Sequence, residues 1–117
     1  MVSLLMGLCV CCVLGIALSE HYAAAEAAES ELCAKVGRFR AWRTGMNFRN
    51  VRRHMRDLID SGDITPDMTH EQMANIVMDA IRAENPRAFN DVPKRDWQAF
   101  FDFIMKLLPI ILAIFGM

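Results

Sequence analysis

An apolar run at each end of the chain, with a charged stretch between, most restricts what it can fold into. Val2 to Leu18 carries no charged side chain, and Trp97 to Phe115 carries only Asp102 and Lys106. Over its 117 residues the chain is 54% hydrophobic and 23% charged, and the apolar excess sits in these two runs. That content excludes simple disorder. Two ends that seek lipid or a partner, joined by a water-compatible centre, explain the pattern better than one large core. Three regions follow: 1–25 as a signal peptide or membrane anchor, 26–91 as a basic and acidic amphipathic helical region, and 92–117 as an apolar C-terminal helix.

The first run is short for a span, since about 20 apolar residues cross a bilayer in comfort. A secretory signal needs a shorter run and small residues at the cut, which Ala23, Ala24 and Ala25 supply. No Lys or Arg precedes it, which favours an uncleaved anchor instead. Both readings take the protein to a membrane or out through one. Cys9, Cys11 and Cys12 lie in this run and Cys33 stands apart, with neither a disulfide framework nor zinc spacing. They read as small hydrophobes, with palmitoylation as the sharper alternative.

The net charge of −1 hides a segregation. Between Lys35 and Arg56 lie Arg38, Arg40, Arg43, Arg49, Arg52 and Arg53, with no Asp or Glu among them. From Asp57 the acids take over, through Asp60, Asp63, Asp67, Glu71, Asp79 and Glu84. A basic half beside an acidic half implies an anionic partner or charge pairing between helices.

Helical periodicity runs through the middle. Ala23 to Glu31 is rich in strong helix formers, and Leu32, Val36, Phe39 and Trp42 form an apolar stripe at the helical period. The phase slips at Thr44-Gly45-Met46-Asn47, where Asn47 can cap a second helix carrying Phe48, Val51, Met55, Leu58 and Ile59. Ser61-Gly62 ends it. Thr69 and Gln72 form a capping box for a third helix with Met73, Ile76, Val77, Ala80 and Ile81 on one face, ending before Pro86. Asp91-Val92-Pro93 reads as the start of the last helix, with Asp91 as its cap. The fold class is therefore all-α: a small helical protein with two or three short amphipathic helices between an N-terminal signal or anchor helix and a strongly apolar C-terminal helix.

On the second helix, Arg49, Arg52, Arg53 and Arg56 fall within an arc of roughly 100° beside the apolar stripe. A planar guanidinium suits phosphate oxygens, so this face is the candidate site for anionic lipid or an acidic partner. Its plain alternative is a solvated face partly paired by Asp57 and Asp60. Polyanion binding, nucleic acid included, is a further alternative for the same arginines, although no zinc-finger spacing, aromatic RNA-binding pattern or helix-turn-helix signature supports base readout.

On the last helix, Trp97, Phe100, Phe101, Ile104, Leu108 and Ile111 are the candidate membrane or oligomer contacts. Gln98, Asp102 and Lys106 form a thin polar strip, in which Asp102 and Lys106 are spaced to pair. Pro109 should kink the helix. Spanning, lying in the interface, joining a second copy or packing on the middle helices are all open to it.

Catalytic patterns fail. The loop around Gly62 places Ile59 and Met68 where a calcium loop needs oxygen ligands, and Ala74 stands where a zinc-protease string starting at His70-Glu71 needs histidine. Neither enzyme, metal nor cofactor is expected. The sequence reads as a non-enzymatic helical protein that is membrane-associated or exported, with membrane lipid and a protein partner or second copy as its associates.

Overall fold

The structure, a computed structural model, describes residues 20–117. The expected signal or anchor run Val2–Leu18 lies outside the described residues. Every regular element among the described residues is helical. Helix α1 covers 20–36, followed by α2 (Arg38–Thr44), α3 (Phe48–Asp60), α4 (His70–Glu84), a 3-10 turn (Pro86–Phe89) and α5 (Lys94–Ile114). Ala23, Ala24 and Ala25, expected at a signal cut, lie within α1, and Ala25 is buried.

The cap chemistry read from the sequence operates in α3 and α4. The Asn47 side chain accepts from the Asn50 amide at the start of α3. Thr69 and Gln72 form a reciprocal capping box on α4. Ser61 ends α3, and Gly62 follows with φ 84°. The amides of Asp63 and Ile64 then bond back to the Leu58 carbonyl, so the chain turns a corner and buries Ile64.

Two local expectations are corrected. Leu32, Val36, Phe39 and Trp42 do not share one helix: Gly37, with φ 87°, breaks it. Leu32 goes into the core, whereas Phe39 and Trp42 ride on the re-aimed α2, whose buried positions are Ala41 and Thr44. At α5 the cap position belongs to Pro93 and not to Asp91, and no side chain caps it.

The apolar C-terminal helix is the centre of the fold. Phe100, Phe103, Ile104, Leu107, Leu108 and Ile111 are all at most 2% exposed. Their spacing makes one continuous stripe, and among α2 to α5 the most extensive contact is between α4 and α5. Met73, Ala74, Val77, Met78 and Ile81 of α4 complete that core with Val51 and Met55 of α3 and Leu32 of α1. Each such large side chain contributes about 1.5–3 kcal/mol when fully buried. Lys94–Ile114 is long and apolar enough to cross a bilayer, yet its most apolar face is covered by its own chain. Pro109 lies exposed within the helix, which runs unbroken through it.

Ion pairs hold the outer helices to this core. Asp96, 1% exposed, accepts from the half-exposed Arg40 of α2. That contact ties the short α2 to the first turn of α5. Lys106 does not pair with Asp102; its Nζ lies 2.7 Å from Glu31 Oε2 on α1, and Asp102 accepts instead from Gln98 at 2.9 Å. Among the described residues no buried side-chain polar atom is left without a partner.

This packing makes a direct forecast. Ile104→Ala should cost about 2–5 kcal/mol and Phe100→Ala about 3–5 kcal/mol in denaturant unfolding, while Phe39→Ala stays within about 0.5 kcal/mol. Equal costs for Ile104→Ala and Phe39→Ala would contradict the packing.

Candidate functional site: an arginine groove beside the end of the last helix

The four arginines of α3 stand together because its buried stripe, Phe48, Val51 and Met55, leaves the adjoining face free. Arg49, Arg53 and Arg56 are exposed and Arg52 is half-buried. Together they wall a surface groove of about 900 Å³. The opposite wall is apolar: Ile59 of α3 with Ile114, Phe115 and Met117 from the end of the chain. Tyr22 of α1 also lines the groove, and Asp60 is the one acidic side chain in its lining.

The arginines are not equivalent. Arg53 Nη2 contacts both carboxylate oxygens of Glu84, at 2.8 and 3.0 Å, and bonds to Asn50 Oδ1 at 2.6 Å. Its positive charge is therefore spent within the fold. The Glu84 carboxyl is held below its ordinary range, first by the hydrogen bond from Arg53 and further by His54, against some burial. The same contact raises the Arg53 pKa further. Asp57 and Asp60 were the partners expected for the arginines, but the ion pair made is to Glu84 on α4. Glu84 brings both carboxylate oxygens to the same Arg53 nitrogen, whereas Asp57 and Asp60 make no ion pair among the described residues.

Arg52 keeps its charge among neutral partners. Its Nη1 donates to Tyr22 Oη at 3.0 Å, and its guanidinium lies 5.3 Å from the Phe48 ring centre and 5.9 Å from that of Tyr22. Those two rings meet edge to face at 5.7 Å, so Arg52 is braced without being neutralised. Arg49 and Arg56 make no ion pair among the described residues. Three guanidiniums are therefore available to an anion, directly beside an apolar wall.

This arrangement can bind an anion. Guanidiniums donate to carboxylate or phosphate oxygens and stay protonated at any physiological pH. Among the described residues there is no cluster of three or more His, Cys, Asp or Glu side chains able to hold a metal ion. Cys33 is half-buried, and it is not among the residues lining the groove.

The expected membrane or oligomer contacts of α5 divide. Phe100, Ile104, Leu108 and Ile111 are core residues with 0% exposure, so in this fold neither lipid nor a second chain reaches them. Trp97 and Phe101 are half-buried. Trp97 stacks on Phe89 at 5.2 Å and carries the Arg82 guanidinium 4.5 Å above its ring. Its indole is thus engaged within the chain.

Tyr22 and Met117 of the groove, and the Glu84 clamp on Arg53, were not singled out from sequence. Glu84 lies 31 residues from Arg53, and no local pattern signals a pair over that distance. Comparison with protein-family models, with curated proteins and with solved structures finds no match to this chain. The class defined by fold and site is a small all-α protein with a basic groove.

The Glu84 clamp carries a pH signature. Its folded-state pKa is lowered, so the pair stabilises the fold above the ordinary glutamate value of 4.5 and is lost as pH falls through the lowered one. Both side chains are about half exposed (54% and 46%), so solvent screening keeps the effect small. Glu31, held low by Lys106 and then Lys35, contributes an acid limb of the same sign. Glu84→Gln should lower stability at neutral pH and make the decline between neutral and acid pH shallower, measured by urea melts across pH. An unchanged slope would rule the clamp out.

Proposed function

We propose that this is a non-enzymatic, membrane-associated helical protein with an interaction or structural role, whose basic face engages anionic lipid. The observation that carries the reading is the groove itself. Arg49, Arg52 and Arg56 are free of acidic partners and stand across from Ile114, Phe115 and Met117. Positive charge beside an apolar wall suits an anionic headgroup that continues into a chain, and suits a bare polyanion less well. The uncharged Val2–Leu18 run supports the same destination.

An exported assembly subunit joined through the C-terminal helix is the rival reading. It has less to work with, because the most apolar face of α5 is used inside the chain. Nucleic acid would use the same arginines but not the apolar wall.

The test is partition of the full chain between vesicles of phosphatidylglycerol and of phosphatidylcholine, with a single-stranded oligonucleotide as competitor. Near an anionic surface each basic side chain contributes about 1 kcal/mol, so Arg49→Gln, Arg52→Gln and Arg56→Gln together should weaken the phosphatidylglycerol preference by roughly 100-fold. Equal partition onto both vesicle types, or displacement from the anionic one by low oligonucleotide concentrations, would refute the proposal.

A further inference from the structure

The most exposed large apolar side chains of the described residues are not on the apolar helix. They are Phe39, 79% exposed, and Trp42, 58% exposed, one turn apart on α2. Burial was available to them: α2 is in contact with the 3-10 turn and is tied to α5 through Arg40 and Asp96. Instead, its inward positions are given to Ala41 and Thr44.

The helix is fastened so that this orientation holds. Gly37 and Gly45, with φ 87° and 79°, permit the sharp changes of direction at its two ends. Arg40 reaches the buried Asp96. Asn85 Nδ2 donates to the Arg43 carbonyl at 3.1 Å, and Asn50 Nδ2 to that of Gly45 at 2.9 Å. A Cβ at Gly45 would come within 2.7 Å of that same Asn50 nitrogen. Polar bonds fix the inner side, and two aromatic rings are presented outward.

The charged side chains of α2 itself are all basic. Arg38 and Arg43 are exposed neighbours on α2 and make no ion pair among the described residues. Trp42 and Arg43 line a cleft of about 590 Å³ together with Arg49 and Arg53. Those last two also wall the groove that ends at Phe115. One continuous surface thus runs from Trp42 and Arg43 to the arginine groove. Glu84 is the acid in the cleft lining, and Arg53 neutralises it.

We infer that α2 is a membrane-docking elbow, with Phe39 and Trp42 entering the interfacial layer of an anionic bilayer while Arg38 and Arg43 hold lipid phosphates. Phe39 stands clear and Trp42 sits at the edge of the cleft, so both rings are open to a medium that closes on them from outside, as lipid does. Trp with basic neighbours is suited to the headgroup level. A second copy docking through the same face would set Arg38 and Arg43 against their own duplicates, which charge repulsion disfavours. The inference rests on the membrane reading above and adds the element that makes the contact.

Trp42 and Trp97 are the two tryptophans, so Trp97→Phe leaves Trp42 as the sole reporter in the full chain. Bound to phosphatidylglycerol vesicles with brominated acyl chains, Trp42 emission should shift to the blue and be quenched. Arg38→Gln with Arg43→Gln should raise the lipid concentration for half-maximal quenching by roughly 10- to 30-fold. Should Trp97→Phe disturb the fold, Trp42→Phe in the otherwise unchanged chain should remove the quenchable emission. Unquenched Trp42 on vesicles that retain the chain overturns the elbow and leaves the membrane reading intact. Failure of the chain to bind vesicles overturns both. A lipid-free blue shift that grows with protein concentration, with dimers in sedimentation, overturns the elbow in favour of a second copy.

Discussion

A helix as apolar as Lys94–Ile114 must have its stripe taken out of water, and the rest of this fold follows from how that is done. α4 supplies the main cover, with α3 contributing Val51 and Met55 and α1 contributing Leu32. Once Phe100, Ile104, Leu107 and Ile111 are sealed at 0% exposure, the helix no longer needs lipid for its most apolar face. The amphipathic helices have little else to pack on, since their own stripes are narrow. Core and cover therefore depend on each other.

Electrostatics then sort the surface. Arg40 is committed to the buried Asp96, Lys106 to Glu31, and Arg53 to Glu84. Each of these contacts ties one helix to another. Apart from Arg82, which lies over the Trp97 ring, and Arg87, the guanidiniums of the described residues left without an ion pair are Arg38, Arg43, Arg49, Arg52 and Arg56. The apolar groups left outside, Phe39, Trp42 and the groove wall at Phe115, lie beside them. Under the proposed function, the surface that meets a membrane is the basic one and not the greasiest helix.

Much of this architecture was legible in the chain. Asn47, Gly62 and the Thr69–Gln72 box act locally, through hydrogen bonds a few residues long, and the elements they bound are where periodicity places them. The arginine cluster was equally visible, since four charges on one helix face need no tertiary information. The rest depended on distance. Whether Leu108 meets lipid or the core of its own chain is not written in its own neighbourhood, because both environments are apolar. The partners of Arg53 and Lys106 come from other helices, where the nearer acids Asp57 and Asp102 were the local guess. Phe39 and Trp42 kept the helical spacing of Leu32, but one glycine in a left-handed conformation turned them outward. A residue pattern records period, and it does not record the direction of the axis after a break.

The central claim is that the C-terminal helix is satisfied within its own chain and that the basic, aromatic surface is what meets the bilayer. Photolabelling with a carbene-generating group carried on the acyl chain of phosphatidylglycerol, followed by peptide mapping of the full chain, tests it directly. Within the described residues, label should concentrate at Phe39 and Trp42 and at the groove wall around Phe115, sparing Phe100, Ile104, Leu108 and Ile111. Heavy labelling of those four would mean that the helix leaves its core to enter lipid, and the account would fail.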